Sequence, residues 1–449
     1  IRFDRAVERA RWDEASSSWQ LSLKDSEGNA WQARFAVVIT ASGLFANARY
    51  PDIPGIDTFR GEIVHPTEWP RDLDVRGKRV AVVGNGSTGV QLLAPVAEEA
   101  AHVSVFQRTP QWISPRPQYG EAVEPEVRWL LDHIPGYWNW CRYTSMISLF
   151  NWHDEYLTPD PEWVAQGGTI TKKLEELRDF MVGYIHEQVG DRPDLIEKLI
   201  PDYAPMMRRP VVDNGWYRAL TRDNVELVTE NITGLDAGGI ATADGAHRDF
   251  DIVVFATGYD VTTYLWPTEY VGRDGVELQA FWAEDSPRAY LGMMVPDFPN
   301  FFMLYGPNSQ PVSGGISLPS WFQIWAAYIA QCLEKMIDEG HGSVAVTPLA
   351  YKEYNRRLDE EASALAFEQD AKSVERNYYV NASGRLQANT PFETADLWEM
   401  QKAPKPGELD FRFTPPAQGN YGSCSYAART GTCQSTSQSC GGGYKSGLC

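Results

Sequence analysis

No run of about 18 apolar residues occurs anywhere in the 449-residue chain, so no transmembrane helix is predicted. Basic charge is scarce: 40 Lys and Arg stand against 60 Asp and Glu, a formal net charge of −20. A nucleic-acid partner needs a basic stripe along its phosphates, and this balance argues against one. A local basic site for a single cofactor stays compatible with it. Metal-type cysteine spacing is missing as well. Cys424, Cys433, Cys440 and Cys449 crowd the end of the chain without a C-x-x-C pair or a histidine among them, so no zinc site is expected. No signal peptide precedes Ile1, and a start without methionine reads as a truncation.

What is present points in two directions. Cys141 and Cys332 stand alone in the body and read as buried free thiols, which suits a cytoplasmic protein. The Ser/Gly/Thr-rich tail from about residue 403 reads as a disulfide framework from an oxidising compartment, unstructured or foreign to the body. The 16 tryptophans fit either aromatic-lined pockets or large cores. WQLSLKD and WQARFAVVIT read as a hairpin and then a buried strand; residues 44–77 read as loop. KRVAVVGNG, STGVQLLAPVAEEA and AHVSVFQRT form a strand, a glycine turn, an amphipathic helix and a second strand, one βαβ unit of a parallel sheet. Residues 111–205 read as a helical insertion. NVELV through FATGYD returns to strands, and SWFQIWAAYIAQCLEKMIDEG is a helix stopped by Gly340.

Gly84-Asn85-Gly86-Ser87-Thr88-Gly89 is a G-x-G-x-x-G between a predicted strand and a predicted helix. Gly84 permits the tight turn, Gly86 lets backbone approach a pyrophosphate, and Gly89 lets helix and strand pack closely, with the helix N-terminus facing the phosphates. A tight turn without ligand is the plain alternative. The next strand ends in Gln107-Arg108-Thr109 where an NAD site would carry an acidic residue. Arg108 can pair with a 2′-phosphate, which favours NADP(H); a solvated arginine is the alternative. ITASG, with Ala41 and Gly43, and FATGY, with Thr257 and Gly258, end buried strands in small residues. Such ends admit a ligand or serve as ordinary turns.

Just ahead of the glycine turn, FRGEIVHPTEWP spells F-x-G-x-x-x-H-x-x-x-W-P, with Phe59, Gly61, His65, Trp69 and Pro70. This resembles the fingerprint of Baeyer–Villiger monooxygenases, a group of class B flavoprotein monooxygenases. The likeness continues through ITASG, GNGSTGVQ, VFQRTP, RRPVVDNGWY, RDNVELV, FATGYD and GPNSQPVSGG, over about residues 1–400. YNRRLDEEAS and NYYVNASGRLQAN look most like the 4-hydroxyacetophenone monooxygenase branch. The resemblance implies an α/β fold with two Rossmann-like domains, binding FAD and NADP, and a helical insertion. Residues 1–75 would be a remnant of the FAD domain plus the fingerprint linker, 76–245 the NADP domain, and 246–402 the rest of the FAD domain.

The implied chemistry uses NADPH, FAD and O2 to insert one oxygen beside a ketone carbonyl, giving an ester or lactone. An anionic oxygen species must be kept from protonation there, and a fixed arginine supplies that field. Arg209 takes this catalytic position by resemblance. Arg208, Gln91, Ser309 and Gln310 take cofactor-side positions, and His65 becomes a conformational element between domains. From the residues alone, Arg208-Arg209 reads equally as a solvated surface pair and His65 as a structural histidine. The family's first G-x-G-x-x-G is missing, so the FAD domain reads as incomplete and the chain alone is expected to bind little FAD and oxidise no ketone. Alternatives are an N- or S-oxygenating flavin monooxygenase, and a degenerate NADP-binding protein without catalysis.

Overall fold

A computed structural model describes residues 1–116, 119–146, 153–261, 263–283, 285–311, 317–366, 380–381 and 383–413. The chain divides into two units, Ile1–Thr414 and Pro415–Cys449, and every described residue belongs to the first. Cys424, Cys433, Cys440 and Cys449 therefore lie outside the described residues.

β1 (Ala6–Asp13), β2 (Ser18–Lys24) and β3 (Ala30–Phe35) form an antiparallel meander. The period-2 alternation buries Trp19 and Leu21 and leaves Gln20 outside. β4 (Val38–Thr40) follows and ends at the ITASG segment. The stretch read as loop before the glycine turn holds a strand: β5 (Glu62–Val64). Three residues are too few for a visible alternation, and the partner strand lies far along the chain, so sequence offers no local cue.

β6 (Arg79–Val83) is buried from Val80 to Val83, as a parallel strand covered on both faces must be. α1 (Ser87–Glu99) returns the chain to β7 (His102–Phe106), parallel to β6, completing the expected βαβ unit. The insertion contributes α2 (Pro125–His133), α3 (Tyr137–Met146), α4 (Pro161–Ala165), α5 (Lys172–Val189) and α6 (Pro193–Leu199). It also holds one short strand, β8 (Ile113–Ser114), paired parallel with β9 (Val211–Val212). Cys141 is half-buried rather than buried, because it sits on α3 among the exposed aromatics Trp138, Trp140 and Tyr143.

After α7 (Trp216–Leu220) come β10 (Val225–Val228), the meander β11 (Ile232–Leu235), β12 (Gly239–Thr242) and β13 (His247–Asp249), then β14 (Ile252–Phe255). β10-β7-β6-β14-β5 is a five-stranded sheet with every neighbour parallel. Alternation splits its core. Val80 and Val82 pack with α1 and α5 through Val90, Leu93, Met181 and Ile185. Ala81 and Val83 pack with Phe59, Leu235 and Phe250 on the other face.

β15 (Glu269–Val271) pairs parallel with β1, and β16 (Phe301–Met303) pairs parallel with β4. β17 (Gln310–Pro311) then precedes α9 (Leu318–Asp338), the strong helix of the sequence, with Gly340 beyond it at φ 74°. One short helix, α8 (Leu278–Ala283), intervenes earlier, and α10 (Pro348–Ser363) follows β18 (Ser343–Val346). β19 (Asn389–Thr390) pairs parallel with β17, and β20 (Leu409–Arg412) pairs antiparallel with β18. The body thus continues past residue 403, where the composition changes.

Asn300 joins these pieces. It is fully buried; its Nδ2 donates to the Ala36 and Gly342 carbonyls at 2.9 and 3.1 Å, and its Oδ1 accepts from Val344 N at 2.8 Å. Its backbone carbonyl accepts from Val38 N, so one side chain and one peptide connect β4 to β18. Replacing it with an isosteric apolar group strands the buried Val344 N–H and removes two partly buried bonds to the Ala36 and Gly342 carbonyls. Asn300→Leu is expected to destabilise by about 2–4 kcal/mol, read as a fall in the urea midpoint at unchanged slope. A midpoint within experimental scatter of the parent would refute this role.

Candidate functional site

The glycine turn behaves as three distinct backbone devices. Gly84 adopts φ 109°, and a Cβ there would meet the Ala256 carbonyl oxygen at 2.6 Å. A Cβ on Gly89 would meet the Gly84 carbonyl oxygen at 2.0 Å, so α1 lies as close to β6 as backbone allows. Gly86 differs: nothing stands within 4 Å of a Cβ placed there. That open face at the N-cap of α1, with exposed Ser87 and half-buried Thr88 following, is the geometry of a helix N-terminus that receives a phosphate. Asn85 is buried; its Nδ2 donates to Gln107 Oε1 and to the Thr109 carbonyl, both at 2.9 Å. Gln107 Nε2 in turn donates to the Lys198 carbonyl at 2.7 Å, tying α6 to the same place. Gln91 faces outward on α1, and its carbonyl accepts from Asn214 Nδ2 at 3.0 Å.

Arg108 is exposed at the end of β7 and Thr109 is half-buried beside it. Over this strand end runs the segment that leads to β9. The Tyr203 hydroxyl donates toward Gln111 Oε1 at 3.1 Å and the Pro110 carbonyl at 3.3 Å, and Trp112 Nε1 donates to the Tyr203 carbonyl at 2.9 Å. Burial pushes the Tyr203 hydroxyl up to about 12, so it stays a donor. Arg208 lies with its guanidinium carbon 4.5 Å from the centre of the Tyr203 ring, and its buried Nε has no hydrogen-bond partner. Sequence reasoning passed over Tyr203, which no motif marks.

Arg209 points elsewhere. With the Gln310 amide oriented to satisfy both neighbours, Oε1 accepts from Arg209 Nη1 and Nη2 at 3.1 and 3.2 Å while Nε2 meets the Tyr305 hydroxyl. Gln310 is 3% exposed and Arg209 is exposed, so the arginine is held at its tip from a wall that does not move with it. The wall is the turn between β16 and β17. Asn308, fully buried, donates from Nδ2 to the Leu386 and Asn389 carbonyls, both at 2.8 Å, and Ser309 Oγ donates to the Gly306 carbonyl at 2.6 Å. Ser309 is thus a turn-closing residue here. Tyr305 stacks on buried Trp325 and approaches Gly43, where a Cβ would lie 3.6 Å from its ring. Ala41 is exposed at the start of that turn. Val312 to Gly315 of the predicted loop lie outside the described residues.

The fingerprint folds onto β14. His65 is 2% exposed, and its Nε2 donates to the Gly258 carbonyl at 3.0 Å while Nδ1 accepts from Thr67 Oγ1 at 2.7 Å. A carbonyl can only accept, which sets the tautomer. Tyr50 and Tyr259 flank the imidazole, with centroids at 5.4 and 5.8 Å. The Gly258 carbonyl also accepts from Arg49 N, and Thr257 Oγ1 donates to the Arg49 carbonyl. A Cβ on Gly61 would meet the Asp251 carbonyl oxygen at 2.4 Å and Phe59 at 2.6 Å, and Phe59 itself is core. Trp69, with Pro70 half-buried next to it, packs against the α1 side of the sheet. His65 is therefore a buried tie between the fingerprint and FATGY, not a base open to substrate.

The residues around the glycine turn fit a nicotinamide dinucleotide: an open helix N-terminus, an arginine at the strand end, and a second arginine with a buried unpartnered Nε. Around β4 and β16 the described residues form a wall from Gly43, Tyr305 and Gln310. No second glycine turn opening a helix stands there among the described residues, so they fit one edge of a flavin and not its diphosphate.

The family model described as flavin-binding monooxygenase-like matches residues 4–121. An uncharacterised monooxygenase of Sinorhizobium fredii is 32% identical over 93% of this chain and 62% of its own length. A cyclohexanone 1,2-monooxygenase of an Acinetobacter species is 30% identical over 79% of this chain and 68% of its own. The chain thus spans less than two thirds of the Sinorhizobium relative. The solved cyclohexanone monooxygenase of Rhodococcus sp. Phi1 bound to NADP+ superposes at a TM-score of 0.72, with 26% identity, covering 92% of this chain and 81% of that one.

Two glycine variants separate fold from ligand. Gly86→Ala should keep the unfolding free energy within about 1 kcal/mol, yet weaken NADPH binding at least roughly tenfold, because its methyl occupies the phosphate's approach. Gly89→Ala should lose about 1–3 kcal/mol of stability by pushing α1 off β6. Calorimetric titration and urea unfolding read the two quantities; equal behaviour of the two variants would contradict the assignment.

Proposed function

Because the chain belongs to the flavin-binding monooxygenase family, within its Baeyer–Villiger group, we propose that it serves the oxygenation of a ketone. The balance is ketone, O2, NADPH and a proton going to ester or lactone, NADP+ and water. The small-molecule partners in this reading are a ketone and O2. The observation that carries it is Arg209, held by Gln310 beside the Tyr305 turn and opposite the strand end at Gly43. FAD, when bound, supplies the activation of oxygen.

This chain's residues supply the rest. Gly86 and the α1 N-terminus receive the NADP pyrophosphate, and Arg108 with Arg208 the 2′-phosphate. The Arg209 guanidinium stays charged at any working pH and stabilises negative charge developing on oxygen next to it. Gln310 fixes its direction, so no reorganisation is needed when that charge appears. Buried Asn308 and Trp325 keep Gln310 and Tyr305 in place. Residues 76–245 act as the nicotinamide side of this arrangement; residues 1–75 and 246–402 form the flavin side.

Among the described residues no turn receives the FAD diphosphate, so the test is product analysis with FAD, NADPH and ¹⁸O2 on cyclic and aryl ketones, run on the chain extended by a segment that supplies that turn. An ester or lactone carrying one ¹⁸O is expected, and Arg209→Ala should lower its formation by roughly two to three orders of magnitude with NADPH binding preserved. Sulfoxide or N-oxide formation from sulfides or amines, with no ester from ketones, would replace this reading.

A further inference from the structure

We propose that Tyr203 is a positioning residue for dinucleotide specificity: its ring carries Arg208 at the end of β7, so that Arg208 reads the 2′-phosphate beside Arg108. The inference rests on the nicotinamide reading above and adds to it a residue outside every motif.

Three observations converge on it. First, the ring is placed rigidly. Tyr203 is 4% exposed, its hydroxyl bonds Pro110 and Gln111, the two residues that follow Arg108-Thr109, and its carbonyl holds Trp112 Nε1. Second, Arg208 is held from both sides. Its guanidinium carbon lies 4.5 Å from the ring centre, and three residues on, Val211 N donates to the Trp112 carbonyl at 2.9 Å, fixing the chain on its far side. Arginine on an aromatic face keeps its N–H edges free in the ring plane's direction, where a phosphate can accept them. Third, the Arg208 Nε is buried without a partner, a cost the protein bears unless an acceptor arrives. The strand end below is where a G-x-G-x-x-G unit presents the ribose 2′ position. Gln107, bonded to both Asn85 and the Lys198 carbonyl, locks this overlying segment to the glycine turn.

The consequence is a division between two arginines. Arg108 is exposed just past the end of β7, whereas Arg208 depends on an aromatic ring five residues earlier in the chain. Without the ring, Arg208 keeps its charge but loses its direction.

The experiment titrates the purified chain with 2′,5′-ADP and with 5′-ADP by calorimetry, which needs neither flavin nor turnover. Tyr203→Leu is expected to weaken 2′,5′-ADP roughly five- to tenfold and to leave 5′-ADP within about twofold, the size of one partly desolvated cation–π contact. Tyr203→Phe, which keeps the ring, should retain most of the discrimination. Arg208→Ala should reproduce the Tyr203→Leu loss, and the double variant should lose no more than Arg208→Ala alone. Equal weakening of both nucleotides by Tyr203→Leu, or additive losses in the double variant, overturns the proposal while leaving the nicotinamide site standing. If Tyr203→Leu does not fold, Arg208→Ala against Tyr203→Phe decides: discrimination unchanged in Arg208→Ala overturns it. A parent chain that binds neither nucleotide removes the cofactor reading and this one together.

Discussion

The close approach of Gly89 to Gly84 is the constraint from which the site descends. A methyl at residue 89 would stand 2.0 Å from a carbonyl oxygen, so the helix can lie on the strand end only with hydrogen there. That contact aims the N-terminus of α1 across the end of β6 and leaves the Gly86 face open. Asn85, inside the same turn, spans to Gln107, and Gln107 spans to Lys198. One backbone approach thus sets the position of the next strand end and, through Gln107, of a helix residue 91 positions further along the chain. The arginine pair that follows α6 inherits its placement from this chain of ties.

Elsewhere the architecture depends on buried amides and one imidazole rather than on long strands. β4, β16, β17 and β19 have two or three residues each, too few for a ladder to hold by itself. Asn300, Asn308 and His65 bind the carbonyls and amides of neighbouring segments, and each is at most 2% exposed. Inside an apolar surround such bonds are costly to break, because the stranded partner has no water to turn to. The turn that carries Gln310 is rigid for this reason, and a rigid Gln310 gives Arg209 one direction.

Much of the fold could be read from pattern. The βαβ unit, the α5 and α9 helices and the parallel sheet followed from periodicity and a glycine turn, because their residues carry the signal locally. β5 did not, since three residues have no period. The half-buried Cys141 did not either, since α3 carries exposed aromatics around it, residue types that by composition alone read as core. In the site, the glycine turn, Arg108 and the fingerprint were legible as motifs, and Arg208 and Arg209 only through a family likeness. Tyr203, Tyr305 and Asn308 were not legible. Each acts across a gap in sequence, through a ring face or a buried amide, and no spacing rule connects such partners.

The amino-acid sequence by itself determined the α/β class, the glycine turn that opens α1 and the family, because these depend on residue types at short, fixed separations. Tertiary structure alone decided the roles within adjacent pairs. Arg208 turns to Tyr203 and Arg209 to Gln310, although the two are neighbours in the chain. It decided likewise that His65 is a tie and Ser309 a turn closure. The physical reason is that a side chain's work depends on what fills the space at its tip, and that space is bounded by segments folded in from elsewhere.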